Sequence, residues 1–558
     1  MTAEDELAAA VLGTLLRENF AGVANYIESD GQVPVLAMPG LPTLPLEPDG
    51  FLTDLRIRLP LPSLTLDEVG KALQALADPA DADGVQAFAQ ECRETLAAHH
   101  LRGQETPRII KALGRRPAPA WRGHEGQLAY DTLAAAQPHP AYPTAAARPG
   151  FTDDDALAYA PEYQPAFPLN WAAIPRPALT RGGPSLPSWW PRPSDVGLPA
   201  ALDSAHEVIP VHPLTARRVL SGALTEAGLP AAKLIAPATR LKVTPTLSTR
   251  TVAVTSQPGV HLKLPLPTST LGRLNRRSIV PGTLPDGALV RAVVAEAAHA
   301  SPLLDHLLLA DESRYAHAGH PFLGYLMRQL PGSLDRCHLV PLAALLAPTP
   351  GRRDLVIGDL ARQHGDGTVT GLFRDYLDVL FGVHVELFVR FGIALEAHQQ
   401  NAALVLAQPD DPLRLLVKDF DGALINYERL TGAPIPVPEP GDFADPRLLT
   451  SSDDALADVF ITITVHLCAG ALAFGLARRN VAPQATLLAL IRQSLTRALD
   501  RYPGHPAAAL LRARVLDADR LPGKAMLTAG TLQTKARSGA SDINKFYGTT
   551  GPNYLGRR

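Results

Sequence analysis

The segment that decides the fold lies at residues 396–422 and reads Glu396-Ala-His-Gln-Gln-Asn-Ala-Ala-Leu-Val-Leu-Ala-Gln-Pro-Asp-Asp-Pro-Leu-Arg-Leu-Leu-Val-Lys-Asp-Phe-Asp-Gly422. Two apolar runs, 402–407 and 413–420, flank the sequence Gln-Pro-Asp-Asp-Pro, whose residue types favour a tight turn. This pattern predicts two strands joined as a β-hairpin.

A long amphipathic helix is predicted directly before the hairpin, at residues 372–395. Polar residues follow that helix, and Asp419 stands at the end of the second predicted strand. Because the open ends of an antiparallel pair are adjacent, we expect these polar side chains to converge.

Composition and charge limit the class of protein. The chain has 558 residues, of which 46% are hydrophobic, which favours several domains or one large fold and excludes a disordered or fibrous protein. Lys and Arg number 52 and Asp and Glu 55, so the formal net charge is −3. A nearly neutral chain has no global field for a polyanion, which argues against nucleic acid as a partner.

Cysteine usage and hydropathy predict a soluble, cytoplasmic protein. The three cysteines are far apart, which argues against a disulfide framework or a zinc site. The N-terminal residues are acidic, unlike a signal peptide. Residues 459–477 carry no formal charge, but their hydroxyl groups, histidine and glycines predict a buried helix and no membrane association.

The first candidate site surrounds the mouth of the hairpin. Carboxylate and amide oxygens beside a histidine suit Mg²⁺ bound together with phosphates, because Mg²⁺ takes one or two carboxylates and completes its shell with substrate oxygens. The alternative is a polar hairpin mouth whose side chains cap backbone groups. The residues are Glu396, His398, Gln400, Asn401, Asp419, Asp421 and Gly422.

The second candidate site is a set of hydroxyl and basic side chains on short predicted strands. Arginine clamps phosphate with two hydrogen bonds, lysine supplies a point charge, and Ser or Thr bridges oxygens. The chain contains no Walker loop, so such a polyphosphate site would be built from side chains. A solvated basic strand face is the alternative. The residues are Ser248, Thr249, Arg250, Thr251, Lys263, Ser269, Thr270, Arg273 and Arg276.

Six motifs in order carry a resemblance to a known family. They are His139-Pro-Ala-Tyr-Pro with Arg148-Pro-Gly-Phe and Tyr159-Ala-Pro-Glu, Pro210-Val-His-Pro, Ser248-Thr-Arg-Thr, Leu262-Lys-Leu-Pro-Leu, Glu396-Ala-His-Gln-Gln-Asn and Val417-Lys-Asp-Phe-Asp-Gly. Across residues 120–425 the chain resembles the IucA/IucC family of siderophore synthetases, which work independently of non-ribosomal peptide synthetases.

The resemblance implies an ATP-dependent ligase of iron acquisition, with ATP and Mg²⁺ as cofactors. Such enzymes adenylate a carboxylate of citrate or another polycarboxylic acid, release pyrophosphate, and pass the acyl group to an amine, hydroxylamine or alcohol. The implied fold is an α+β cupped hand, with a thumb at residues 1–120, fingers at 121–330 and a palm at 331–558. Small-molecule substrates and a homodimer are the implied partners.

The resemblance also implies roles for individual residues. The implied catalytic residues are His398, Arg273 and His139. The implied nucleotide ligands are Ser248, Thr249, Arg250, Lys263, Arg273, His398, Gln400, Asn401 and Asp419. The implied acid ligands are His139, Arg148, Arg273 and His398, and the implied Mg²⁺ ligands are Glu396 and Asp419.

The chain departs from the family pattern in three motifs. The usual His-Pro-x-His-Pro followed by lysine has Tyr142 in place of the second histidine and Ala146 in place of the lysine. The usual His-Pro-Trp-Gln has Leu214 and Thr215 at its last two positions, and the usual Arg-Asp before Phe has Lys418. The first two changes put the identity of the acid in question, and Arg148 is a candidate for the missing cation.

Two other functions are consistent with parts of the sequence. His398 and Asn401 followed by Asp419-Phe-Asp-Gly resemble a kinase catalytic loop and its metal-binding aspartate, although no Gly-rich phosphate loop precedes them. The changes at Tyr142 and Ala146 also fit a non-catalytic family member. A kinase would give ADP, a synthetase AMP and pyrophosphate, and a non-catalytic protein would bind no nucleotide.

Overall fold

The N-terminal part combines helices with a small sheet. The computed structural model describes residues 2–29, 33–61, 64–351, 354–540 and 545–556. The first helix begins at a capping box in which Thr2 and Asp5 bond each other's backbone N–H. The elements here are α1 (Ala3–Glu18), β1 (Ile27–Glu28), β2 (Val35–Leu36), β3 (Leu44–Pro48), β4 (Leu55–Ile57), α2 (Leu66–Leu76) and α3 (Ala82–Leu113).

The middle of the chain forms an eight-stranded antiparallel sheet. Its elements, with their flanking helices, are α4 (Gly123–Ala135), α5 (Asp153–Tyr159), β5 (Phe167–Pro175), β6 (Thr180–Gly182), β7 (His206–Val211), α6 (Pro213–Arg218), α7 (Leu220–Glu226), α8 (Ala231–Leu234), β8 (Arg240–Pro245), β9 (Thr251–Val254), β10 (Gln257–Lys263), α9 (Thr283–Ala300), β11 (Leu307–Leu309), β12 (Asp311–His317) and β13 (Gly324–Gln329). The eight strands of the sheet lie in the order β6-β12-β13-β10-β9-β8-β5-β7, and β11 belongs to a different sheet.

The two faces of the central strands differ in chemistry. On β10, Val260 and Leu262 pack into an apolar core with Met327 of β13. The alternate residues His261 and Lys263 are also buried and point to the opposite face, where His261 pairs with Arg328 across the strands. The sheet therefore presents a buried basic face toward the C-terminal part of the chain.

The C-terminal part is mainly helical and contains the predicted hairpin. Its elements are β14 (His338–Pro341), α10 (Val356–Ala361), α11 (Val369–Phe391), β15 (Ile393–Ala394), β16 (Ala402–Leu406), β17 (Arg414–Val417), β18 (Leu424–Asn426), α12 (Tyr427–Thr431), β19 (Leu449–Thr450), α13 (Asp453–Val459), a π-helix (Phe460–Gly470), α14 (Ala471–Arg478), α15 (Gln484–Leu499), α16 (Pro506–Leu511), β20 (Arg520–Gly523), α17 (Lys535–Ser538) and β21 (Thr549–Pro552).

These elements confirm the predicted α+β class. Strand β16 pairs antiparallel with β17 in the sheet β11-β17-β16-β14, as the hairpin pattern predicts. Leu527 and Leu532, close to the C-terminus, pack into the N-terminal core. The predicted subdomain boundaries at residues 120 and 330 stay predictions.

In the described part of the chain, one unbroken helical stretch is long and apolar enough to cross a membrane. It spans Asp453–Arg478, and its most apolar window is entirely buried inside the protein. Burial of this stretch confirms the prediction of a buried helix at residues 459–477.

Candidate functional site

The segment between α11 and β16 holds the first predicted set in place. Helix α11 ends at Phe391 because Gly392 adopts a left-handed conformation with φ 65°. Asn401 then donates its side-chain N–H to the Glu396 carbonyl at 3.3 Å and lies 3.4 Å from His398 Nε2. The backbone N–H of Lys418 donates to the Asn401 carbonyl at 3.0 Å, so the two ends of the hairpin meet as expected.

The π-helix Phe460–Gly470 packs against the segment between α11 and β16 and holds it by hydrogen bonds. Gln399 Nε2 donates to the Leu467 carbonyl at 2.6 Å, and Cys468 Sγ donates to the Ala397 carbonyl at 3.3 Å. Sequence reasoning passed over Gln399, although it stands between two predicted residues. A π-helix widens the backbone locally and is frequent at functional sites, but no simple sequence signal marks it.

The second predicted set lies on the β8–β9 turn and at the end of β10. Thr249 adopts φ 62°, and Ser248 Oγ accepts the N–H of Thr251 at 3.1 Å. This turn directs Arg250 toward the segment after β10, where Nη1 donates to the Ser278 carbonyl at 2.7 Å. Lys263 is the last residue of β10 and is 3% exposed.

A cavity of about 710 Å³ brings the two sets together. Eleven of the twelve predicted site residues line it: His139, Arg148, Ser248, Thr249, Arg250, Lys263, Glu396, His398, Gln400, Asn401 and Asp419. The convergence spans more than 250 residues of sequence, which favours one functional cavity over two unrelated polar surfaces.

Arg273 is the predicted residue that is not on the described cavity wall. Its backbone N–H and its Nε donate to Thr531, at 3.1 Å to Oγ1 and 3.0 Å to the carbonyl oxygen. Arg277, four residues later, lines the cavity instead, and its buried Nε has no hydrogen-bond partner among the residues that the structure describes. Burial and then the charge of Arg250 lower the pKa of Arg277 to about 9.

The ammonium group of Lys263 pairs with both Asp419 and Asp421. Lys263 Nζ lies 2.5 Å from Asp419 Oδ1 and 3.0 Å from Asp421 Oδ2. Burial alone would raise the pKa of Asp419, but the charges of Lys263, Arg328 and Arg250 hold it well below its usual range. Asp419 is therefore ionised at neutral pH.

These carboxylates fit a magnesium ion that shares its ligands with a nucleotide. Asp419 and Asp421 each place a carboxylate oxygen beside the Lys263 ammonium. Glu396 lines the same cavity, with its Oε1 3.5 Å from Lys524 Nζ. The described part of the chain holds no cluster of three or more His, Cys, Asp or Glu side chains suited to a metal ion. Mg²⁺ takes few protein ligands when phosphates complete its shell, so two of these carboxylates would suffice to hold it.

The cavity histidines are neutral at pH 7. Burial and then the charge of Lys524 lower the pKa of His398 to about 3. Burial, Arg17 and Lys524 lower the pKa of His139 to about 4, and His139 Nδ1 accepts the backbone N–H of Tyr142 at 3.0 Å. Both rings can donate or accept hydrogen bonds without carrying charge.

The structure shows where Tyr142 and Ala146, the two departures that concern the acid, lie relative to the cavity, and where Arg148 lies. Tyr142 is 1% exposed, and its hydroxyl donates to Glu91 Oε2 at 3.1 Å, behind the described cavity wall. Ala146 is likewise absent from the described lining residues. Arg148 lines the cavity, but Glu162 binds it at 2.7 and 2.9 Å and neutralises its charge.

Two family models match successive parts of the chain. The IucA / IucC family matches residues 128–347, and the family described as ferric iron reductase FhuF-like transporter matches residues 372–541. The rhizobactin siderophore biosynthesis protein RhbC of Rhizobium meliloti is 25% identical over 400 residues, 64% of this chain and 64% of the relative. Staphyloferrin A synthase of Staphylococcus aureus is 22% identical over 362 residues, 61% of this chain and 60% of the relative.

The comparisons confirm the resemblance of the chain to the IucA/IucC family, whose model matches residues 128–347. The chain spans less than two thirds of the length of each of these two relatives, and the same holds for the uncharacterized protein y4xN of Sinorhizobium fredii, which is 26% identical over 66% of this chain and 64% of the relative.

Solved structures extend the similarity to the whole fold. The petrobactin biosynthesis protein AsbB from Bacillus anthracis gives a TM-score of 0.76 at 16% identity, covering 99% of this chain and 96% of the other. ATP-bound aerobactin synthetase IucA from Klebsiella pneumoniae gives 0.72 at 17% identity, covering 99% and 100%. The two proteins share a fold with this chain along nearly its entire length.

Proposed function

We propose that the protein is an ATP-dependent siderophore synthetase. It activates a carboxylate of citrate or a related polycarboxylic acid as an acyl-adenylate and joins it to an amine, hydroxylamine or alcohol. The observation that carries this proposal is the meeting of the two predicted residue sets in one cavity. The ATP-bound state named for the IucA structure supports the use of ATP.

The charge of the cavity supports two anionic substrates bound side by side. Nine basic and four acidic side chains line it, although the whole chain is slightly acidic. Such local focusing of positive charge favours polyanions, which for this function are the triphosphate of ATP and a polycarboxylate. We assign the phosphates to Arg250, Lys263 and Arg277, and the acid to the end that holds His139 and His398.

The proposed reaction needs alignment rather than a protein nucleophile. In the first step a carboxylate oxygen of the acid bonds to the α-phosphorus, the bond to the bridging α–β oxygen breaks, and pyrophosphate leaves with that electron pair. In the second step the nucleophile bonds to the acyl carbon, its proton passes to solvent, and AMP leaves. Cationic side chains around the triphosphate stabilise the charge that develops in the first step.

Neutral imidazoles suit binding better than proton abstraction. A pKa of about 3 makes His398 a weak base at pH 7. We therefore assign His398 and His139 hydrogen bonds to the acid or to the α-phosphate. Mg²⁺ would be held by Asp419 and Glu396, and it would supply charge neutralisation at the phosphate oxygens.

The test measures pyrophosphate, AMP and ADP from ATP and Mg²⁺ with citrate, 2-oxoglutarate, succinate or monoacylated citrates, each with and without hydroxylamine. We expect acid-dependent pyrophosphate and AMP. Arg250→Ala should lower adenylation about 10- to 150-fold, because one charge-assisted bond to phosphate contributes about 1.5–3 kcal/mol. The matched control is Arg240→Ala, an exposed arginine on β8 outside the described cavity wall.

Each alternative gives a different result in the same assay. ADP in place of AMP would support the kinase-like function, and failure to bind ATP would support a non-catalytic family member. Wild-type turnover in Arg250→Ala would contradict the phosphate assignment. A homodimer and the absence of nucleic-acid and membrane partners are part of the proposal and are tested by light scattering and by binding to duplex DNA and vesicles.

A further inference from the structure

A β-bulge points a buried carboxylate at the end of the hairpin. Between β12 and β13, Asp311 pairs with Gln329 and Arg314 with Met327, so two residues, Glu312 and Ser313, lie opposite Arg328 alone. Bulges of this kind re-aim side chains next to functional sites. Glu312 is 1% exposed and Arg328 is 3% exposed, and Arg328 Nε donates to Glu312 Oε1.

The same carboxylate oxygen binds the backbone of Asp419. Glu312 Oε1 accepts the N–H of Asp419 at 2.9 Å, and Arg328 Nη2 lies 3.8 Å from Asp419 Oδ1. Asp419 itself adopts φ 68°, the left-handed region that favours glycine. A non-glycine residue keeps this conformation only where surrounding contacts over-determine it, and such residues concentrate at functional sites.

We propose that Glu312 and Arg328 are positioning residues that set the direction of the Asp419 carboxylate. Glu312 fixes the Asp419 N–H, and Arg328 fixes Glu312 and attracts the carboxylate from the side of the sheet. Without the carboxylate of Glu312, the Asp419 backbone relaxes toward the extended region and its carboxylate leaves the Mg·ATP position. The inference rests on the proposed function, because it assigns Asp419 to the nucleotide and its metal ion.

The ion pair alone does not explain the arrangement. A buried Glu–Arg pair stabilises a fold weakly at best, because desolvation offsets the attraction between the charges. Glu207, on β7 of the same sheet, is also buried but pairs with the exposed Arg181 at 3.1 Å, away from the described cavity wall. Glu312 differs in that it also binds the backbone of a cavity residue.

The test measures Mg·ATP binding by calorimetry and the thermal unfolding of each ligand-free variant. Glu312→Ala should raise the Kd for Mg·ATP about 10- to 100-fold, the usual effect of removing a partner behind a metal ligand. Glu312→Gln keeps an oxygen acceptor for the Asp419 N–H and should raise the Kd less. The control Glu207→Ala removes a buried carboxylate of the same sheet and should leave the Kd unchanged.

A double-mutant cycle separates positioning from general destabilisation. In the Asp419→Ala background, Glu312→Ala should change the Kd by no more than about twofold, because the carboxylate on which it acts is gone. If Glu312→Ala fails to fold, Arg328→Lys in both backgrounds carries the same cycle.

The outcomes distinguish the inference from the proposed function. Equal Kd values for wild type and Glu312→Ala would overturn the positioning role and leave the synthetase intact. Fully additive effects in the cycle would also overturn it. A wild-type protein that does not bind Mg·ATP would overturn the proposed function, and the positioning role with it.

Discussion

Arg277→Met should stabilise the ligand-free protein and weaken nucleotide binding. Burial and then the nearby charge of Arg250 lower the pKa of Arg277 from its ordinary value to about 9. Because pH 7 lies below the pKa of Arg277 in both the unfolded and the folded protein, the guanidinium is charged in both states. The folded protein therefore carries the full cost of burying that charge, roughly 5 kcal/mol. Methionine fills similar space without the charge, so we expect a gain of about 1–4 kcal/mol in the free energy of unfolding.

The same change removes a charged contact from bound ATP. Arg277 lines the cavity to which we assign the phosphates, and its buried Nε has no hydrogen-bond partner among the described residues. One charge-assisted hydrogen bond contributes about 1.5–3 kcal/mol, so the Kd for Mg·ATP should rise about 10- to 150-fold. Urea unfolding measures the first effect, and calorimetric titration with Mg·ATP measures the second.

Arg273→Met is the matched control. Arg273 lies in the same segment, but its Nε donates to the Thr531 carbonyl. This variant should lose stability by about 1 kcal/mol and keep its affinity for ATP. The reasoning is refuted if Arg277→Met lowers stability and keeps wild-type affinity while Arg273→Met loses ATP binding, because Arg273 would then be the phosphate ligand that the family resemblance implies.

Three further changes test other parts of the cavity. Tyr142→Phe removes one donor to buried Glu91 and should lower the free energy of unfolding by about 1–2 kcal/mol, with acid preference unchanged in the pyrophosphate assay; a new preferred acid would contradict this. Between pH 6.5 and 4 only the unfolded chain protonates His398, whose folded pKa is about 3, so the free energy of unfolding falls as the pH falls. His398→Gln should reduce this fall by up to about 1.4 kcal/mol per pH unit. An unchanged dependence of the unfolding free energy on pH, measured by urea unfolding, would refute it. Gly422→Ala places a Cβ 2.2 Å from Glu396 Oε2 and should weaken Mg·ATP binding about tenfold, whereas unaltered calorimetry would exclude Glu396 from the metal site.

Local chemistry explains the elements that the sequence predicted well. The hairpin strands Ala402–Leu406 and Arg414–Val417 fall inside the two predicted apolar runs, because the turn sequence between them fixes both chain direction and spacing. The helix predicted at 372–395 spans Val369–Phe391. Its early end follows from the left-handed Gly392, and glycine leaves the ends of such patterns ambiguous.

The eight-stranded sheet could not be predicted in the same way. Strand β10 lies between β9, its neighbour in sequence, and β13, which follows only after helix α9 and two further strands. Burial on both faces removes the alternating pattern that normally identifies a strand, since all five residues from Gly259 to Lys263 are buried. The bulge at Glu312 depends on the same long-range pairing, so sequence reasoning missed Glu312, Arg328 and their link to Asp419.

The choice between two arginines shows why a motif predicts chemistry better than it predicts individual ligands. Arg273 and Arg277 lie in one irregular segment between β10 and α9, where no periodicity tells which side chain faces the cavity. Thr531, 258 residues away in sequence, binds Arg273, and for this reason we propose Arg277 rather than Arg273 as the phosphate ligand. The hydroxyl of Thr531 also lies 3.0 Å from that of Tyr142, so one distant residue fixes both Arg273 and the side chain that departs from the family pattern. We therefore expect the acid preference of the proposed synthetase to depend on side chains that line the cavity, such as Ala145 and Met526, rather than on Tyr142.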